Sequence, residues 1–357
     1  MSKNLKIALV HDDLVQWGGA ERVLATLAQI YPESLIYTSL FDSNSNLLRQ
    51  NFDVGRIRTS FLQKIPGWKN FYKALLPLYP IAFEQFDFSN FDLVISQTTR
   101  FAKSVITKPS TKHICYCHTP PRFLWNFSGE VSNFWLSPYL SFLRVYDQVS
   151  SRRVDFWIAG SNNAKLRIKK IYRTDSKVIP PFVDLSRFRD VESFEGSYLL
   201  VISRLNWYKR VDIVLEAAKK LDLPLKVVGV GPELGNLQRR ASKKVEFLGH
   251  VGEDDLSTLI AGCWALVVAG EEDFGLTSLE AQALAKPVVA YRAGGTLETV
   301  IEGETGYFFD DQSAESLIRA LGQLDKRGYN KKTCVQNAQR YSQEKFMEEF
   351  SALVNSL

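Results

Sequence analysis

Short apolar runs alternate with segments of helical period along the whole chain, and that alternation limits the fold more than any other feature. A strand covered on both faces reads as a continuous apolar run, and a parallel neighbour is reached only through a long crossover, usually a helix. The pattern predicts strands at 6–10, 35–39, 93–96, 112–116 and 156–159, then at 198–203, 225–229, 245–248, 265–269 and 287–291. Helices are expected at 19–30, 211–220, 233–241, 255–261, 275–285 and 313–324. Each half therefore reads as a β-α-β stack with right-handed crossovers, a Rossmann-like, doubly wound α/β domain. The chain has 357 residues, too many for one typical domain and enough for two with their own cores. Pro180-Pro181 and the polar stretch 184–196, which lacks an apolar period, mark a hinge. The expected division is an N-terminal domain at 1–182 and a C-terminal domain at 183–342. A last helix at 343–357 is expected to pack back on the first domain. Ligands of such sheets bind beyond the carboxyl ends of the strands, so two domains facing a central cleft would place their chemistry there.

Composition narrows the function. The net charge of +5 is too weak to argue for nucleic acid and suits an anionic ligand such as a diphosphate. No run approaches the roughly 18 apolar residues of a membrane span. The opening apolar stretch 7–10 meets Asp12 and Asp13 at once and reads as a buried strand, not a signal peptide. Cys115 and Cys117 share one strand face, and no second close pair completes a zinc site with them, Cys263 or Cys334. Small buried thiols in a reducing cytoplasm fit this usage.

Three features of the second half converge on one kind of ligand. The strand at 198–203 runs into a loop carrying Arg204 and Lys209. A planar fork and a point charge together suit a diphosphate, though either could be a solvated loop cation. The strand at 265–269 leads through Glu271, Glu272 and Asp273 to Gly275 and a helix containing Glu280. The start of that helix offers backbone N–H groups and a positive dipole end to a phosphate. At ~1.5 Å per helical residue, Glu272 and Glu280 stand about a ribosyl diphosphate apart, and each carboxylate can accept from vicinal hydroxyls.

Glu272-Asp-Phe-Gly-Leu-Thr-Ser-Leu-Glu280 resembles the glutamate–seven–glutamate motif of the retaining glycosyltransferases of family 4, which have the GT-B fold. Ser203-Arg204-Leu205 with Lys209, Val227–Glu233, Phe247–His250, Ala290–Thr296 and Glu304–Tyr307 resemble further blocks of that family, in the same order. Asp273 departs from it, standing where glycine is commoner. The resemblance implies a hexosyltransferase that uses a nucleoside diphosphate sugar as co-substrate, without cofactor or metal. Glu272 would hold the transferred sugar and Glu280 the ribose, while Arg204 and Lys209 neutralise the diphosphate. Phe247, His250 and Val251 would line the base pocket, and Phe274, Gly275 and Leu276 would form the phosphate seat. In the first half, the Gly18-Gly19 turn would approach the donor, and His118, in Cys117-His-Thr-Pro-Pro-Arg122, would contact the transferred sugar. Ser161 matches a family position near the hinge. UDP-glucose is the expected donor, with GDP-mannose as the alternative. The acceptor would be a saccharide or a lipid-linked sugar in polysaccharide or glycolipid synthesis. An epimerase on the same architecture and a non-catalytic nucleotide-sugar-binding protein are the rival readings.

Two other patterns carry less. Gly229-Val-Gly-Pro-Glu-Leu-Gly235 has the wrong final spacing for a dinucleotide fingerprint. The pairs at Asp12, Asp254 and Asp310 lie in separate places and suit strand ends and helix caps better than metal. The stretch 54–83 holds Arg56, Arg58, Lys64, Lys69 and Lys73, no acidic residue, and Trp68 and Tyr72 at helical spacing. It reads as a peripheral contact at the inner face of the membrane, an acceptor-sugar loop or a solvated face.

Overall fold

The computed structural model describes residues 5–125 and 137–356, apart from the side chains of Lys73 and Ser137. The chain forms two compact units, one of residues 1–180 with 347–357 and one of residues 181–346.

The first unit contains β1 (Ile7–His11), β2 (Leu35–Thr38), β3 (Ile57–Thr59), β4 (Leu93–Thr98), β5 (Lys112–Cys117), β6 (Phe156–Ala159) and β7 (Lys177–Val178). They make one parallel sheet in the order β3-β2-β1-β4-β5-β6-β7. Alternate residues serve its two faces. Ala8, Val10 and Val94 pack with Leu62, Trp68, Tyr79 and Phe83. Cys115 and Cys117 pack with Trp157, Ala159 and Ile168 on the other side. All four cysteines are free and buried, and burial pushes the Cys115 thiol up to about 12.

The second unit contains β8 (Tyr198–Ile202), β9 (Leu225–Val228), β10 (Val245–Gly249), β11 (Cys263–Val268), β12 (Val288–Tyr291) and β13 (Gly306–Phe309). They too are all parallel, in the order β10-β9-β8-β11-β12-β13. Leu199, Val201, Val227 and Val267 bury one face, and Leu200, Val228, Leu266 and Val268 the other. In both sheets the first and fourth strands lie side by side, which is the topological switch point of a doubly wound fold.

Several expectations change. The strands that the apolar pattern missed, β3, β7 and β13, are short and sit at sheet edges. There one flank is open, and β3 and β7 carry Arg58 and Lys177 where a central strand would be apolar. The two units divide between Pro180 and Pro181, where the expected hinge begins, and the stretch 184–196 lies within the second unit. Asp184 caps the turn Leu185–Phe188 through the Ser186 N–H, Phe188 is buried, and Lys286 Nζ donates to the Phe194 carbonyl. Trp68 and Tyr72 do not share a helix. They fall in separate 3-10 turns, Trp68–Asn70 and Tyr72–Leu78, and the Trp68 ring is buried in the core. The last helix, Gln343–Ser356, begins in the second unit, and from residue 347 it groups with the first, where Phe350 meets Tyr116 with ring centres 6.4 Å apart.

Candidate functional site

In the second unit, β8 is followed by the loop that ends in the turn Trp207–Lys209, and β11 by residues 269–275 and the helix Leu276–Ala283. Because β8 and β11 are neighbours, the two loops meet at the switch point. Gly270 permits this approach, since a Cβ there would lie 2.8 Å from both Lys209 Cα and the Tyr208 carbonyl oxygen. Lys209 Nζ then donates to Glu272 Oε1 at 2.6 Å. Both side chains are mostly buried and line a small pocket with Ser203, Ala269 and Gly270. The Glu272 loop is fastened from behind, where Gly295 N donates to the Glu272 carbonyl at 2.8 Å.

Glu280 lies on the helix after that loop. Its Oε1 accepts from Arg187 NH1 at 3.0 Å, and Arg187 Nε stands 3.1 Å from Glu253 Oε2. Sequence reasoning missed Arg187, which sits in the stretch read as a hinge. Its signal was local turn chemistry: Asp184 and Ser186 set a capped turn just before Arg187 and the apolar anchor Phe188. Gly275, in the left-handed region at φ +95°, opens the helix with no side-chain cap.

The remaining predicted positions of this unit contribute less side chain. The Phe274 ring is buried 5.4 Å from the Tyr341 ring, and Leu276 leans on the same core, so both offer a ligand mainly backbone. Phe247 and Val251 are half-buried against the core, and His250 is exposed. Gly229 N donates to the Gly249 carbonyl at 2.7 Å, joining the loop after β9 to the end of β10. Arg204 is exposed on the loop after β8.

In the first unit, Gly18 and Gly19 open the helix Gly19–Ile30, again without a side-chain cap. Glu21, in its first turn, is buried with its Oε1 3.8 Å from His11 Nε2. Burial alone would raise the Glu21 carboxyl, but the His11 ring, a backbone N–H and the Gln16 amide together outweigh it and hold the group below its usual range. His118 follows β5, its N–H bonded to the Thr98 carbonyl and its ring edge-on to Tyr116. Gln97 Nε2 lies 2.6 Å from His118 Nε2. Gln97 is the second functional candidate that sequence reasoning missed, because nothing in the sequence marks which of the three polar residues at the end of β4, Ser96, Gln97 and Thr98, reaches His118.

The acidic pairs have local partners. Asp12 accepts N–H bonds from Thr99, Arg100, Phe101 and Ala102, and Asp13 accepts from Arg100 and the Tyr79 hydroxyl. Asp254 and Asp255 lie in the first turn of the helix Glu253–Ala261, and Asp310 binds Arg292 at 2.6 Å. Ser161 caps the helix Asn162–Tyr172 through the Ala164 N–H. The basic stretch is largely engaged internally. Arg56 donates to the Ser34 and Tyr31 carbonyls, Arg58 to the Gly55 carbonyl, and Lys69 pairs with Asp42. The Lys73 side chain lies outside the described residues.

Two parallel sheets, each carrying ligand-competent loops at its switch point, define an α/β protein of GT-B type, and solved structures agree. The structure of Anabaena HepE in complex with UDP and glucose matches with a TM-score of 0.74, at 18% identity, over 99% of this chain and all of that one. Two family profiles divide the sequence between them, Glycosyltransferase Family 4 over residues 17–187 and Glycosyl transferases group 1 over residues 185–341. The chain belongs to the family 4 glycosyltransferases of GT-B fold. The D-inositol 3-phosphate glycosyltransferase of Corynebacterium urealyticum is 32% identical over 44% of this chain and 42% of its own length. The alpha-1,3/1,6-mannosyltransferase ALG2 of Dictyostelium discoideum is 22% identical over 99% of this chain and 98% of its own. Against that Corynebacterium enzyme and three further curated relatives, the match spans 40% to 61% of their length. Among the described residues no helix is long and apolar enough to cross a membrane.

Proposed function

We propose that the protein is a retaining glycosyltransferase that moves a hexose from a nucleoside diphosphate sugar to a saccharide or lipid-linked acceptor in polysaccharide or glycolipid synthesis. The observation that carries this is the pair of carboxylate–cation contacts at one switch point, Glu272 with Lys209 and Glu280 with Arg187, on either side of the uncapped helix start at Gly275. As the glycosidic C–O bond breaks, negative charge grows on the leaving diphosphate. Arg204, Lys209 and the N–H groups after Gly275 meet it where it develops, the role a metal ion plays in other transferases. Glu272 holds the hydroxyls of the transferred sugar and Glu280 the ribose. The acceptor attacks from the face that the diphosphate leaves, and the leaving phosphate takes up the acceptor proton.

UDP-glucose is the donor we favour. GDP-mannose is the second reading, supported by the mannosyltransferase relative that aligns over nearly the whole chain. A lipid-linked acceptor would bring the protein to the inner membrane face. Phe71, Leu78 and Ile81, exposed within the stretch 54–83, are the side chains suited to enter it. The deciding experiment incubates the protein, with and without EDTA, with a panel of sugar nucleotides and acceptors and follows the products by mass spectrometry. Release of nucleoside diphosphate with an α-linked product in EDTA supports the reading. An isomerised donor, or binding without turnover, replaces it with an epimerase or a binding protein.

A further inference from the structure

β4 lies between β1 and β5, so the end of β4 faces both the first helix turn and the residue after β5. Gln97 is paired in register with His11 on one side and Tyr116 on the other, and it is fully buried. Its amide nitrogen makes two contacts of 2.6 Å, one to the Ala20 carbonyl oxygen in the first turn of the helix Gly19–Ile30 and one to His118 Nε2.

The Ala20 carbonyl can only accept, so the group facing it must be the amide NH2. Turning the amide over would put two oxygens 2.6 Å apart and would not give the other end a partner. The second amide hydrogen therefore points at His118 Nε2, which must accept it and so carries no hydrogen of its own. A neutral imidazole has one N–H, which is then at Nδ1. Protonating Nε2 would set two donors against each other in a buried place and lose a hydrogen bond.

From this geometry we infer that Gln97 is a positioning residue that holds His118 as the neutral Nδ1–H tautomer, so that the ring meets a sugar oxygen as a donor and not as an acceptor. The same amide ties His118 to the first turn opened by Gly18 and Gly19, so two elements assigned to the donor share one anchor. The inference rests on the transferase reading for its consequence, but not for its test. His113 shows the alternative means to the same end: its Nδ1 donates directly to the Arg153 carbonyl, and its Nε2 accepts from the Ser96 hydroxyl.

The test is long-range 1H–15N correlation on protein labelled at its four histidines, with the His118 signals assigned by their loss in His118→Asn. At pH 7.5 the wild type is expected to show a protonated Nδ1 and an acceptor-type Nε2 at His118. In Gln97→Met the constraint is gone, and the ring should move towards the Nε2–H tautomer that free imidazole side chains prefer. The turnover number should fall about tenfold, the worth of one hydrogen bond, with the KM for the donor nearly unchanged. Gln97→Glu, whose carboxylate accepts, should reverse the tautomer outright. A wild-type His118 that is protonated at Nε2 overturns the inference. So does a folded Gln97→Met or Gln97→Glu protein with wild-type ring shifts. Failure of every sugar nucleotide to turn over would instead overturn the transferase reading and leave the tautomer measurement standing.

Discussion

Lys209 Nζ and Glu272 Oε1 are 2.6 Å apart although the residues lie on loops after two different strands. One residue is assigned to the diphosphate and the other to the transferred sugar, so the contact joins the leaving group and the migrating group. Each single change, Lys209→Ala or Glu272→Gln, is expected to lower kcat/KM by about 10- to 100-fold, the worth of a charge-assisted contact. Because either change already breaks the pair, the double variant should lose less than the product of the two. A double-mutant cycle on kcat/KM should return a coupling of about 0.5–3 kcal/mol. Additive losses would mean that the two residues act separately.

Arg187 makes a second prediction. Its guanidinium lies between Glu280 and Glu253 and is about nine-tenths buried. Arg187→Ala should leave Glu280 poorly placed for the ribose hydroxyls. Nucleoside diphosphate binding, read by titration calorimetry, should weaken about tenfold. Glu280→Gln should do the same and change kcat less than Glu272→Gln does, since the ribose is unaltered in the reaction. Unchanged affinity in Arg187→Ala would reduce Arg187 to a structural brace.

The contrast between these two pairs shows what the sequence could carry. The central strands, the helix starts and the glutamate–seven–glutamate spacing were legible because each is a short-range pattern: an apolar run, a glycine before a helix, eight positions along one segment. The pairing of Lys209 with Glu272 was half legible, since both were placed at strand ends. Their contact depended on β8 and β11 being neighbours, which is a property of the sheet order. Arg187 and Gln97 were not legible. Arg187 is in a polar stretch whose only organising feature is a capped turn. Gln97 is one of three polar residues at the end of β4, and only the sheet order shows that its amide meets both Ala20 and His118. The edge strands β3 and β7 were missed because, with one flank open, Arg58 and Lys177 interrupt the apolar run; β13, Gly-Tyr-Phe-Phe, is apolar and buried throughout, and its pattern was simply not read as a strand.

His113 gives a stability prediction with a defined pH window. The ring is fully buried between β4 and β6, and burial pushes it down from 6.5 to about 4. A depressed histidine stabilises the fold above its unfolded value, and this contribution is lost as pH falls from about 6.5 to about 4. The loss should approach about 3 kcal/mol. His11 does not oppose it in this window. Burial tends to lower that ring, but Glu21, Asp12 and Asp13 together outweigh burial and raise it, so its contribution is full below 6.5 and fades only at higher pH. Asp12 is held below its ordinary 3.8, because Arg100, His11 and the N–H groups of Thr99 and Ala102 outweigh burial, so it acts at lower pH still. Urea unfolding at pH 7 and pH 4.5 should show the difference, and His113→Leu should flatten the slope between them. A slope unchanged by that substitution would assign the acid sensitivity elsewhere.

The last prediction concerns the surface of the stretch 54–83. With Arg56, Arg58 and Lys69 engaged by the protein and Trp68 in the core, charge alone is a weak basis for lipid contact. The apolar side chains are the better basis. Ile81 is 58% exposed, Phe71 40% and Leu78 37%, within eleven residues of one another, and Lys64 is exposed nearby. Inserting one such side chain into the acyl boundary is worth about 1.5–3 kcal/mol, so Phe71→Ser with Ile81→Ser should release the protein from anionic vesicles by tenfold or more. Lys64→Glu alone should have a smaller effect that vanishes at high salt, since an exposed charge acts within a Debye length. Nucleoside diphosphate binding should be unchanged in all three substitutions, because the residues assigned to the diphosphate and the ribose belong to the second unit. Vesicle binding that survives the double serine change but falls with Lys64→Glu would make the contact electrostatic. Binding indifferent to all of them would return the stretch to an acceptor loop or a solvated face.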